Sequence, residues 1–218
     1  MEIKISVPTS LSDITLREYK QYERIINTND KDEYSERFIN TKMVEIFCGI
    51  TYEQASAMTL VDFERIVVQL YDILQETPKL VRRFKMGDSE FGFIPDLERM
   101  TFGEYVDLDT YIHDMSNIEK AMAVLYRPIK YKSKEKYEIY PYEGDLYHDA
   151  MLNMPMNAVV SSILFFYHLG IDLSNAMMNS SEVEDPALLA QLRALGKSGT
   201  GINPYTPSLK EILGDLML

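Results

Sequence analysis

The stretch that most restricts the fold of this chain is residues 91–109, FGFIPDLERMTFGEYVDLD. It couples a short strand to a capped helix. The helix start within it, Met100-Thr101-Phe102-x-Glu104-Tyr105, recurs elsewhere. Ile14-Thr15-Leu16-Arg17-Glu18-Tyr19 has the same form, and Met58-Thr59-Leu60-Val61-Asp62-Phe63 nearly so. Each sets a hydroxyl residue three positions before a carboxylate, with apolar residues on both sides. That is a capping box with a hydrophobic staple: the threonine accepts from a free backbone N–H, and the carboxylate reaches back to the cap. Such boxes set where helices begin and carry no chemistry of their own. The sequence between them does not match, so no internal repeat is assigned.

Other elements follow from periodicity and punctuation. Glu2–Val7 alternates polar and apolar residues before Pro8, which predicts a short strand. Thr15 opens a helix to Asn27, with Leu16, Tyr19, Tyr22 and Ile26 on one side. A second helix covers 33–47, with Phe38, Val44 and Phe47 inward and Gly49 as its stop. Thr51-Tyr52-Glu53-Gln54 caps a single short helix, and Thr59 a longer one to Gln75, where Phe63, Ile66, Val67, Leu70 and Leu74 keep helical spacing. Residues 81–86 and 90–94 flank Gly87-Asp88-Ser89 and predict a β-hairpin. Further helices are expected at 101–113 and 117–126, the latter stopped by Arg127-Pro128. The polar, tyrosine-rich run 130–145 reads as a loop with one short strand at 137–140. Residues 146–153 add a helical turn, and Pro155 starts a long helix to Asn179. After a polar break at 180–185 and a short helix at 186–195, GKSGTGINP resembles a linker. Ser208-x-x-Glu211 then caps a final amphipathic helix whose apolar stripe is Leu209, Ile212, Leu213, Leu216 and Met217.

The expected fold class is therefore mainly α with a small antiparallel β-hairpin (α+β), to which an N-terminal strand could add. A helical globular domain spans 1–195, with a secondary boundary near 78–81. A linker covers 196–206 and a docking helix 207–218. Twelve helical residues are marginal alone, so that helix must pack on its own domain, a second subunit or a partner.

Composition narrows the function classes. A chain of 218 residues with 46% hydrophobic and 11% aromatic residues can bury a sizeable core. A net charge of −12 and scattered lysines and arginines argue against nucleic-acid binding, because phosphate contacts need clustered cations. The one cysteine, Cys48, allows no internal disulfide and reads as a small core residue in a reducing compartment. Residues 1–10 lack a basic region followed by an apolar run, so no signal peptide is expected. The longest apolar-rich run, 158–170, is too short to span a bilayer and reads as a buried helix.

Catalytic and ligand-binding signals are weak. His113, His148 and His168 share no ligand spacing with each other or with Cys48, so no zinc site of the usual type can be written. No serine sits in a nucleophile elbow. Gly196-Lys197-Ser198 lacks the earlier glycine of a phosphate-binding loop, since Gln191 stands there. Glu104, Asp107, Asp109 and His113 fall on two helical faces that a regular helix keeps apart, so they read as an acidic solvated face. Asp145, His148 and Asp149 offer a weak cation set at best. No catalytic, cofactor or metal residues are assigned. An enzyme would need a pocket where Asp107, Asp109 or His148 converges with other polar groups.

The segments VPTSLSDITLREY, KMVEIFCGIT, FGFIPDLERMTFGEYVDLD, AMAVLYRPI and the Met154-Pro155 helix start resemble small proteins of tailed-bacteriophage structural gene modules, among them tail assembly chaperones. The resemblance runs over about residues 3–175 and is one of segment order, so no functional residue carries over. It implies a non-enzymatic role in virion or tail assembly through protein–protein interaction. The partner would be a tape-measure or other tail protein, or a second copy of the chain, with no nucleic acid and no membrane. The place would be the host cytoplasm during assembly, or the virion itself. A permanent component of neck, baseplate or capsid interior is the alternative, and an enzyme of unknown class the third reading. The expected partner-binding residues are the tail stripe (Leu209, Ile212, Leu213, Leu216, Met217) and the strand residues Phe91 and Phe93, each with core packing as the rival role.

Overall fold

The computed structural model describes residues 5–28, 33–134 and 136–180. Within them the chain is mainly helical with one antiparallel sheet, in the order α1 (Leu16–Thr28), α2 (Glu33–Cys48), α3 (Tyr52–Ser56), α4 (Leu60–Leu74), β1 (Arg83–Met86), β2 (Ser89–Phe93), α5 (Phe102–Tyr111), α6 (Ile118–Leu125), β3 (Tyr126–Ser133), β4 (Lys136–Ile139), α7 (His148–Met151) and α8 (Met156–Ser180). Short 3₁₀ turns link several of these.

The threonine boxes perform as their spacing requires. Thr51, Thr59 and Thr101 each accept from the backbone N–H three residues on, and Thr15 accepts from Glu18 N at 3.3 Å. The start of α1 has a second partner. Leu16 N and Arg17 N donate to the carbonyls of Met154 and Leu152, and Met156 N donates to Ile14 O. Free donors at one helix start are thus satisfied by the loop that opens α8.

The sheet is larger than the expected hairpin. Its order is β1-β2-β3-β4, antiparallel throughout. The β1–β2 turn is Gly87-Asp88 alone, with Met86 opposite Ser89, so Ser89 belongs to the strand rather than the turn. The helix stop at Arg127-Pro128 is right, but the chain passes directly into β3 instead of a loop. Tyr126 closes α6 and already has extended dihedrals, φ −120° and ψ 125°. β3 escaped notice because Tyr131, Lys132 and Ser133 are exposed, so the run lacks the apolar alternation of a half-buried strand. At the N-terminus, residues 5–7 are irregular, against the strand expected there, and residues 2–4 lie outside the described residues.

One core joins all layers. It is centred on α6, whose Ile118, Ala121, Met122, Ala123, Val124 and Leu125 are all solvent-inaccessible. Val44 and Phe47 of α2 and Val67, Leu70 and Ile73 of α4 belong to it, whereas Phe38, expected inward, is exposed. One sheet face contributes Phe84, Phe91, Phe93 and Tyr126. The Tyr126 ring stands edge-on to Phe84 and Phe93 at 5.2 and 5.3 Å, and Phe93 packs on Phe165 of α8. The Tyr126 hydroxyl donates to Val81 O at 2.7 Å, and Ser161 Oγ accepts from Val81 N at 3.1 Å. Both polar groups of Val81 are thereby satisfied where the chain enters the sheet.

Candidate functional site

The polar face of the sheet, the start of α5 and the exit of β4 enclose an open cleft of about 540 Å³. Its fixed point is an ion pair. Arg127 of β3 and Glu104 of α5 are 5% and 4% exposed, with Nη1 to Oε1 at 2.7 Å. Glu104 is also the carboxylate of the Thr101 capping box, taking Thr101 N on Oε2 at 2.6 Å. One side chain therefore starts α5 and clamps it to the sheet. The sequence motif gives the first task, and only the fold shows the second. A buried pair of this kind offsets its desolvation only while both partners are present.

The cleft wall is set by further contacts. Tyr142 donates to Asp107 Oδ2 at 2.8 Å, and burial, then that carboxylate, push its hydroxyl pKa upward. On the same sheet face the Tyr137 ring lies across Gly92, and its hydroxyl donates to Phe93 O at 2.6 Å. Burial raises the Tyr137 pKa too, against the lowering influence of Arg82 and Arg83.

The outer side of α5 carries Phe102, Tyr105 and Val106, exposed to 82%, 40% and 41%. Their spacing places them on one helical face. Phe102 follows Thr101, which lines the cleft, so apolar face and polar cleft meet at the start of α5. Contiguous exposed apolar side chains, unlike scattered single ones, are the usual mark of an interaction surface. No family model, curated protein or solved structure matches this chain.

The expected site residues fare differently. Phe91 and Phe93 are 4% and 5% exposed, and β2 is an inner strand, so neither side chain offers a surface to a partner; core packing is their role. Leu209, Ile212, Leu213, Leu216 and Met217 lie outside the described residues, as do the linker and Gly196-Lys197-Ser198. Asp107, Asp109 and His148 do not converge on the cleft; Asp107 is engaged by Tyr142. Glu104 does not belong to a solvated acidic face but is buried. Burial lowers the His113 pKa, with Asp109 opposing. Among the described residues no group of three or more His, Cys, Asp or Glu side chains is placed to hold a metal ion, Asp145, His148 and Asp149 included. Cys48 is a buried free thiol whose pKa burial raises to about 11. No helix among the described residues is long and apolar enough to cross a membrane.

The Phe102, Tyr105 and Val106 face escaped the sequence reading because its residues resemble core positions. Apolar residues also occupy the adjacent stripe at Leu108 and, just past the helix end, Ile112, both buried, and spacing alone does not say which part of this broad apolar side is covered.

Proposed function

We propose that this chain is a non-enzymatic assembly protein of a tailed bacteriophage. It acts in the host cytoplasm as a tail assembly chaperone, through contact with a tape-measure or other tail protein. The observation that carries the reading is the exposed α5 face. Phe102, Tyr105 and Val106 sit at the i, i+3, i+4 spacing with which a helix anchors in a partner's apolar groove. Their helix is held rigidly from below by Glu104 and Arg127, so binding would not have to order it first. The resemblance of its segment order to phage structural modules supports the biological setting.

The test is co-expression with the tape-measure protein of the same genome. The wild-type chain should co-purify with it, and Phe102→Asp/Val106→Asp should not. Equal recovery of both would remove the α5 face from the reading. Failure of the wild type to retain any tail protein would remove the assembly role. Quantitation in purified virions separates the two assembly roles, because a chaperone is absent there and a permanent component is present at fixed copy number.

A further inference from the structure

β1 pairs with β2 on one side only, and its phase fixes which backbone groups face the other side. Phe93 N donates to Arg82 O at 2.8 Å, and Arg83, Phe84, Lys85 and Met86 then stand opposite Gly92, Phe91, Glu90 and Ser89. Antiparallel ladders alternate bonded and non-bonded pairs, so Phe84 and Met86 turn their N–H and C=O toward β2. Those of Arg83 and Lys85 point to the open edge. Lys85 is exposed, and no described residue bonds its N–H or C=O. Beside it runs an open groove of about 340 Å³, between β1 and the segments that open α1 and α8. Ser12, Asn153 and Pro155 form its far wall.

We infer that this edge receives an extended segment of a partner protein, which joins the sheet beside β1 and sets acidic side chains against Lys85. A strand edge supplies main-chain hydrogen bonds to such a segment, and the side chains along it set the selectivity. Charge decides the occupant. Arg83 and Lys85 line the groove and no carboxylate does, in a chain whose net charge is −12. Neighbouring acids are engaged. Glu90, opposite Lys85, pairs with Lys132 at 2.9 Å, and Asp13 and Glu18 hold capping bonds from Thr9 and Thr15. On the other face of the incoming strand, Phe84 and Pro155 offer apolar contact, so acidic and apolar residues alternate in the occupant. A second copy fits badly. Two β1 edges side by side would set Arg83 and Lys85 of one copy beside those of the other, and like charges facing each other destabilise a sheet. Lysine on an edge guards against such pairing. The inference stands apart from the assembly role, because it concerns the β1 edge and not the apolar face of α5.

The experiment follows amide shifts and hydrogen exchange of the full-length chain by NMR. In the dilute free chain the Lys85 amide should exchange quickly, while those of Phe84 and Met86 are protected. Three blocked pentapeptides are titrated: Thr-Glu-Val-Glu-Thr, the same with lysine for both glutamates, and the glutamate form N-methylated at both glutamates. The first should move the Lys85 amide saturably and slow its exchange. The lysine form should bind at least about fivefold more weakly. The N-methylated form, which cannot donate to the edge, should bind about three- to tenfold more weakly. Lys85→Pro removes an N–H that β2 does not use, so it should keep the fold and lose the binding. Lys85→Glu keeps the test decisive if the proline variant fails to fold, because it should erase the preference for glutamate. No saturable effect of the glutamate peptide overturns the inference, as does equal binding of the lysine or the N-methylated form. Slow exchange of Lys85 in the dilute free chain would place a segment of this chain on the edge, and slowing with protein concentration alone would place a second copy there; either overturns it.

Discussion

Gly92 faces Arg127 across β2 and β3, and what it lacks shapes that side of the sheet. A Cβ there would stand 2.5 Å from Tyr137 Cε2 and 3.1 Å from Ile129 Cγ1. The Tyr137 ring cannot tilt away without losing its bond to Phe93 O. Gly92→Ala is therefore expected to cost about 1–3 kcal/mol. Urea denaturation reads this, and an unchanged midpoint would show that the ring is not held as described. The neighbouring ion pair gives a sharper contrast. Glu104→Gln strands the Arg127 charge and should cost about 3–5 kcal/mol, whereas Glu104→Leu with Arg127→Met should recover most of that. Equal losses in single and double variants would mean that packing, not charge, matters at the seam.

The α5 helix has two faces with separate tasks, and substitutions should divide along that line. Thr101→Ala removes the cap acceptor for Glu104 N and should cost about 1 kcal/mol of stability. Phe102→Ser, at an 82% exposed position, should move stability by less than about 0.5 kcal/mol while weakening partner recovery. Thermal melts of both variants beside the co-purification assay check the division. A large stability loss in Phe102→Ser would place that ring in the core and withdraw the docking face. The β3–β4 hairpin shows the opposite lesson. Its second strand falls where the sequence offers one, at 137–140, but the exposed residues of β3 give no periodic signal, and β3 exists because β2 offers a second edge for pairing, with Phe91, Gly92 and Phe93 opposite Pro128, Arg127 and Tyr126. A strand made by its neighbour has little to announce it in its own residues.

At the scale of the whole molecule, burial of weak acids sets the pH range of the fold. Burial pushes Tyr126 up to about 12 and Cys48 to about 11, and raises Tyr22 as well. Each folded group holds its proton to higher pH than the unfolded chain, where the ordinary values are 9.0 for the thiol and 10.0 for tyrosine. The stabilisation is complete below pH 9 and is lost as pH rises toward 12. Melting temperature should stay level from neutrality to about pH 9 and then fall steadily. Tyr126→Phe should flatten the fall above pH 10, and an unaltered slope would exclude Tyr126 as a contributor. His113 acts on the other side. Its folded pKa lies below 6.5, so its contribution is present above that pH and fades as pH drops through it.

From sequence alone came the helix starts, the stops at Gly49 and Arg127-Pro128, the mainly helical class and the first hairpin. All of these are local, because caps, turns and periodic stripes act over a few residues. The tertiary structure decided which stripes are covered. It sank Phe91 and Phe93 into the core, left Phe102, Tyr105 and Val106 outside, and added β3 to the sheet, which pairs the strand expected at 137–140 onto it. It also turned the Glu104 of a capping motif into the partner of an arginine 23 positions later, at 2.7 Å. Burial and ion pairing depend on what the rest of the chain brings alongside, and no short-range pattern carries that information.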